Sequence, residues 1–184
     1  MSLPIVVSWS GGKDCAMALA ELLGDPRFEV IELVSSFCCE TDRIPIHEVP
    51  RELVRRQAAA LGMNLVEVEL PTNATNTEYE AAWSDYYATC RLRGIGHVAF
   101  GDLFLEDIRA YRERFVERVG LQSHFPLWGR NTLELAHEFI RDGWKAIVCA
   151  LDVTRLSPEF AGRLYDESFL ADLPSHIDPC GENG

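Results

Sequence analysis

The sequence predicts an α/β fold: one open, mostly parallel, twisted sheet with helices on both faces and a small C-terminal lobe. Three observations carry that expectation. Short apolar runs alternate with segments of helical period, the pattern of a parallel sheet covered on both sides. Gly, Pro and Asp mark several boundaries between these segments, as at Gly24-Asp25-Pro26. Finally, 184 residues of which 47% are hydrophobic are enough to bury a sizeable core. With no repeat, low-complexity tract or linker, one domain is expected over 1–184, with about 103–184 as a lobe closing over the site.

Pro4–Trp9 reads as the first strand. Asp14–Leu23 follows as the first helix and ends at Gly24-Asp25-Pro26, since proline cannot continue a helix. Phe28–Phe37 reads as the second strand. Val49–Leu61 places apolar residues at 49, 53, 54, 58 and 61 on one helical face and stops at Gly62. Leu65–Leu70 alternates as a third strand. Glu78–Leu92 is a long helix whose Tyr79, Trp83, Tyr86 and Tyr87 form a packing stripe. His97–Gly101 is the fourth strand, 103–120 a charged helix, Thr132–Arg141 another, and Ala146–Leu151 a final strand. The tail, 155–184, is irregular with a short helix near Arg163–Leu170. Ligands of open α/β sheets bind beyond the carboxyl ends of the strands. Segments 8–15, 35–47 and 101–112 are therefore expected to converge on one cleft.

Composition narrows the partners. The net charge of -12 and pI near 4.8 disfavour nucleic acid, whose phosphates call for a basic surface. The densest basic patch, Arg51, Arg55 and Arg56, reads as a solvated helix face. No apolar run approaches the ~20 residues of a membrane span and no leader segment opens the chain, so a cytoplasmic location without a membrane partner is expected. Six cysteines include no Cys-x-x-Cys pair, which argues for reduced, mostly buried thiols.

The chemistry is concentrated at Ser8-Trp9-Ser10-Gly11-Gly12-Lys13-Asp14-Cys15, between the first strand and the first helix. A strand-to-helix turn aims unpaired backbone N–H groups at one point, and the helix dipole adds positive potential there. Gly11 and Gly12 permit torsions and close approach that a Cβ blocks. Lys13 adds a compact cation. Of the 17 basic Lys and Arg residues only Lys13 and Lys145 are lysine, which marks position 13 as one where an ammonium fits and a planar guanidinium does not. The spacing is not a Walker A loop, because Val7 and Asp14 stand where Gly and Ser or Thr belong. A second cluster follows the fourth strand: Gly101, then the carboxylates Asp102, Glu106 and Asp107, then Arg109 and Arg112 one helical turn on. Glu106 and Asp107 are equally read as helix-cap acids. Neither His47 nor Cys180 is assigned a catalytic role.

The octet resembles the PP-loop of ATP pyrophosphatases in the adenine nucleotide alpha-hydrolase superfamily, a Rossmann-like fold. Cys15 stands where that loop usually ends in Ser. Gly101–Tyr111, Phe125–Thr132 and the ending Cys180-Gly181-Glu182-Asn183-Gly184 together resemble the diphthine–ammonia ligase family. The resemblance implies a ligase that adenylates a carboxylate with ATP, releases pyrophosphate and AMP, and transfers free ammonium. The acceptor it implies is diphthine on elongation factor 2, or another carboxylate in a bacterial source. It further implies that Ser8, Ser10, Gly11, Gly12, Lys13, Asp14, Cys15 and Gly101 hold ATP, with Ser35, Ser36 and Phe37 lining the adenosine pocket. Mg²⁺ is expected on the phosphates through Asp14 or Asp102. Lys13, Asp102, Glu182 and Asn183 are the expected catalytic set, and Glu106, Asp107, Arg109, Tyr111, Arg112, Trp128 and Arg130 the substrate contacts. Trp128 or Tyr111, with Glu106 or Glu182, suits the trimethylammonium of such a substrate. Two other readings stay open: a PP-loop enzyme that modifies tRNA, and an ATP-binding module without catalysis.

Overall fold

Continuous runs of buried residues in the central strands mark a sheet covered on both faces, and the computed structural model, which describes residues 2–182, builds one sheet from them. The strands are β1 (Leu3–Ser8), β2 (Phe28–Cys38), β3 (Leu65–Leu70), β4 (His97–Ala99) and β5 (Gln122–His124). Their spatial order is β3-β2-β1-β4-β5, and all neighbours are parallel. The helices are α1 (Lys13–Gly24), α2 (Arg51–Ala60), α3 (Asn76–Leu92), α4 (Glu106–Arg118), α5 (Thr132–Arg141) and α6 (Glu167–Asp172), with a 3-10 turn at Pro158–Phe160. The expected α/β class, open parallel sheet and Rossmann-like winding are all present.

The chain steps outward from β1 to β3, then crosses back to β4 and β5. Right-handed crossovers then put α1 and α2 on one face and α3 and α4 on the other. The second face holds the larger core. Val6, Val34, Val68 and Val98, one from each of four strands, meet Trp83, Tyr86, Tyr87 and Cys90 of α3 and Phe115 and Val116 of α4. The aromatic stripe of α3 is therefore packing, as read from its spacing. Strand order reverses at β1, which opens a crevice at the carboxyl ends of β1 and β4.

Two compact units divide the chain. The first takes residues up to Gly101 together with Glu106–Pro126; the second takes Asp102–Leu105 and everything from Leu127 onward. Most of the second unit lies after residue 126, because α4 and β5 group with the sheet. Within it, Phe139 meets Tyr165 edge-on with centroids 5.6 Å apart and Tyr165 lies 5.1 Å from Phe169, a small aromatic core under α5 and α6. Asn131 caps α5 by accepting from the Leu133 and Glu134 N–H groups, and Asp166 caps α6 through Phe169.

The strand expected at Ala146–Leu151 is absent. That stretch makes only an antiparallel bridge between Ile147 and Leu164, and Ile147 is exposed. The fifth strand is Gln122–His124 instead, too short and polar to announce itself by pattern. Of the Arg51, Arg55, Arg56 patch, Arg55 and Arg56 lie on the solvated face expected of them, whereas Arg51 does not. Arg51 is buried, its guanidinium 4.6 Å above the Phe37 ring. It pairs with Asp42 (2.7 Å), Glu67 (3.1 Å) and Glu69, while Arg55 takes Glu67 bidentately. These pairs fasten α2 to the edge strand β3. The Arg51 guanidinium is held even more firmly protonated than usual, chiefly by its bonds to Glu69. Among the described residues no helix is long and apolar enough to cross a membrane.

One carboxylate lies inside the sheet: Glu32 of β2 is 1% exposed. Burial opposes its ionisation, yet Arg93 (2.8 and 2.9 Å), Tyr86 (3.0 Å) and Asn64 (3.2 Å) together hold its pKa below the ordinary value. Removing Arg93 leaves that charge uncompensated. Arg93→Ala is expected to cost about 3 kcal/mol in urea unfolding, while Glu32→Gln with Arg93→Ala costs less than the sum of the two single changes.

On the neighbouring strands His97 Nδ1 and His124 Nε2 are 2.9 Å apart, so one ring donates to the other. Burial lowers both pKa values, and for His124 the nearby His97 adds to it. The unfolded chain then binds protons first as pH falls through about 6.5. Stability is accordingly expected to drop between pH 7 and the lower folded values. Urea midpoints at pH 7.5 and 5.5 check this, and His124→Gln should flatten the difference.

Candidate active site

β1 delivers the chain into Trp9–Gly12 at the sheet's reversal point, and α1 starts at Lys13. The turn is held from behind. Trp9 N–H bonds to the Val34 carbonyl (2.8 Å) and the buried Ser35 hydroxyl donates to the Trp9 carbonyl (2.5 Å). Gln57 of α2 accepts from the Trp9 indole (3.2 Å) and donates to the Gly11 carbonyl (2.9 Å). Gly11 has φ +77, a left-handed conformation that glycine adopts without strain. No side chain caps α1, because the cap residue is Gly12. Helix geometry gives the first-turn N–H groups no intrahelical acceptor, so this end is shaped for an anion.

Inside the turn, Ser10 Oγ accepts from Gly12 N–H (3.3 Å) and lies 3.3 Å from Cys15 Sγ; the Cys15 thiol donates to the Gly12 carbonyl (3.1 Å). Burial pushes the Cys15 thiol pKa up, so it serves the turn as a neutral donor. Lys13 forms an ion pair with Asp14, and its side chain is only 9% exposed. From the other side Gly101 closes the crevice: a Cβ there lies 2.8 Å from Cys15 N and 2.9 Å from Asp14 C. Ser8, Ser10, Gly11, Gly12, Lys13, Asp14, Cys15 and Gly101 are thus assembled in one place.

The other expected residues of this unit are spread around it. Ser35 supports the turn, Ser36 is half-buried, and Phe37 is fully buried beneath Arg51. The Phe37 ring therefore offers no open face to an adenosine. On α4, Arg112 lies 4.4 Å over Phe100 and Arg109 5.0 Å over Phe125, and those two rings stack at 5.6 Å. Arg109 also donates to Glu113 (2.7 Å). Desolvation and then the repulsive charge of Arg112 hold His47, in the loop after β2, below its ordinary pKa. Tyr111 donates to Glu80 (3.2 Å), and burial followed by Glu80 pushes its pKa up to about 12. Its hydroxyl braces α4 against α3. Glu106 and Asp107 are exposed in the first turn of α4.

The second unit gathers its own motif residues. Glu182 accepts from Leu103 N–H (3.0 Å), and the Leu103 carbonyl accepts from Gly129 N–H (2.8 Å). Asp178 accepts from the Cys180 and Glu182 N–H groups, and the Cys180 thiol donates to the Thr132 carbonyl. Arg130 pairs with Glu138 at 2.5 Å, and Trp128 is half-buried. The three separated motifs therefore meet at Asp102–Leu105, Leu127–Thr132 and Asp178–Glu182. Asn183 lies outside the described residues.

Sequence reading missed Gln57 and Glu32. Gln57 lies three residues after Val54 and four before Leu61, at the border of the buried stripe of α2. That placement was its only signal. Among the described residues no group of three His, Cys, Asp or Glu side chains is arranged for a metal ion. Asp14, the first-turn acid of α1 and ion-paired with Lys13, is a group of the kind Mg²⁺ takes, since that ion binds one or two carboxylates and completes its shell with water and phosphate oxygens.

Residues 4–123 match the model of a protein family described as Diphthamide synthase N-terminal domain. The match runs from β1 through most of β5 and contains every residue of the turn. No curated protein matches the chain significantly.

Gly101→Ala tests the closed crevice. The clash is with backbone, which cannot rotate away, so the change is expected to destabilise by about 1–3 kcal/mol. A thermal melt checks it; an unchanged Tm means β4 and α1 do not approach as described.

Proposed function

Because the chain belongs to the diphthamide synthase N-terminal domain family, a PP-loop domain of the adenine nucleotide alpha-hydrolase type, we propose that it is an ATP-dependent amide ligase. It adenylates a carboxylate, releases pyrophosphate, and passes the acyl group to ammonia with release of AMP. The observation that carries this reading is the uncapped N-terminus of α1 behind a glycine-lysine turn at the sheet's reversal. The acceptor in this reading is diphthine on elongation factor 2, or another carboxylate in a bacterial source; membership of a diphthamide synthase domain family supports the first.

In this reading the turn grips the β- and γ-phosphates through the backbone N–H groups of Gly11 to Cys15, with the Ser10 hydroxyl as an added donor. Lys13 neutralises charge that grows on the departing pyrophosphate. A carboxylate oxygen attacks the α-phosphorus and the bond to the bridging oxygen breaks, so the leaving group stays in the turn while the acyl-adenylate forms. Ammonia then attacks the acyl carbon and AMP leaves. No side chain forms a covalent intermediate; the protein contributes alignment and preorganised positive dipoles. Mg²⁺, when bound, would shield phosphate charge, with Asp14 or Asp102 as its proposed carboxylate. Arg109, Arg112, Trp128, Arg130 and Glu182 are kept as proposed contacts to the acceptor, and Glu182 with Asn183 to orient ammonia.

Nucleotide products decide the matter. With ATP, ammonium and a carboxylate panel that includes diphthine-bearing elongation factor 2, AMP and pyrophosphate are expected in equal amounts. Formation of ADP, or ATP binding without turnover on carboxylate and tRNA panels, overturns the proposal. Lys13→Ala should lower turnover on the order of a hundredfold, the size of effect seen when one transition-state donor is lost. Lys13→Arg should not restore it, since a guanidinium has a different shape and donor geometry.

A further inference from the structure

We propose that Gln57 is the positioning residue of the phosphate turn: its carboxamide sets the direction of the turn's backbone N–H groups. The inference rests on the reading of the turn as the pyrophosphate seat, and adds to it the residue that shapes that seat.

Both ends of the amide are used. Nε2 donates to the Gly11 carbonyl at 2.9 Å, and Oε1 accepts from the Trp9 indole at 3.2 Å. Glutamine is suited to this pair of bonds: glutamate lacks the donor at neutral pH and asparagine is one methylene shorter. A trans peptide is planar, with its C=O and N–H pointing opposite ways. Holding the Gly11 carbonyl toward α2 therefore aims the Gly12 N–H away from α2. In the structure that N–H meets only a long bond, 3.3 Å, to Ser10 Oγ, one readily exchanged for a phosphate oxygen.

The contact also explains the residue at position 11. Besides its φ of +77, a Cβ there lies 2.6 Å from Gln57 Oε1. Glycine and glutamine are thus fitted to each other. The base under Gln57 is rigid: Val54 and Ala58 are buried, and Arg51 and Arg55 tie α2 to Glu67 and Glu69 of β3. The amide transmits that rigidity to a turn that no cap residue can hold without blocking its donors.

Equilibrium binding of pyrophosphate, ATP and AMP to the full chain tests this, with thermal melts alongside. Q57L is expected to weaken pyrophosphate and ATP about tenfold, the effect of losing one or two hydrogen bonds that preorganise the site, and to leave AMP unchanged. Q57E keeps the acceptor for Trp9 but loses the donor and adds a negative charge under the turn, so it should weaken pyrophosphate at least as much. W9F spares the bond to Gly11 and should weaken it less. Should Q57L fail to fold, Q57E and W9F carry the test. Pyrophosphate affinity equal to wild type in Q57L and Q57E overturns the inference, and so does an equal loss of AMP and pyrophosphate, which marks a purely structural role. If the wild-type chain itself binds AMP but not pyrophosphate, the assignment of the turn fails instead.

Discussion

A turn that binds phosphate through its own backbone, as proposed for the one ahead of α1, cannot be stabilised in the ordinary way. Side-chain capping would consume the N–H groups that make such a site useful, and the cap position of α1 is Gly12, which has no side chain to spend on them. The conformation has to be enforced from every direction except the one the ligand takes. Ser35 holds the Trp9 carbonyl from β2, Gln57 holds the Gly11 carbonyl from α2, and Cys15 holds the Gly12 carbonyl from within α1. Three carbonyls are thus tied back by three donors. Gly101 adds a backbone-to-backbone approach from β4. Much of the surrounding architecture serves to keep these supports in register.

That view gives the buried charges a purpose beyond stability. Buried ion pairs contribute little net stability compared with apolar packing, and their best-attested value is in fixing one arrangement over others. Arg51 fixes α2 on the β3 edge, and α2 carries Gln57. Its backbone N–H also bonds to the Asp42 carbonyl at 2.9 Å, so the same residue orders the loop after β2. Glu32 fixes β2 to the C-terminal end of α3 through Arg93, and β2 carries Ser35. Each ionic cluster lies one step behind a support of the turn.

The sheet and most of its helices were legible in the sequence because they rest on period. Val and Ile runs gave the long strands, and the Tyr79–Tyr87 stripe gave α3 its buried face. The segments that failed share a cause. β5 is three residues long, and its neighbour β4, rather than its own composition, makes it a strand. Ala146–Leu151 has the composition of a strand, yet its only ladder contact is the bridge to Leu164. The octet could be read because glycine and lysine are unusual at such a junction, while Gln57 was silent because its role depends on a partner 46 positions away. Local chemistry leaves a mark on sequence; a contact between elements leaves one only where pattern and partner are both visible.

Charge then settles how such a chain can accommodate a polyanion. The net charge of -12 repels ATP at long range, though over distances beyond about 8 Å salt screens most of that. Attraction must come from groups in contact: oriented N–H dipoles, whose effect is confined to the first helical turn, and one ammonium. Lys13 is already paired with Asp14 and largely covered, so its charge is desolvated and placed before any ligand arrives. A flexible, hydrated lysine would have to lose both freedoms on binding. The acidic chain therefore does not contradict a phosphate site; it requires the site to be short-ranged and preorganised, and the fastened turn at the head of α1 has both properties.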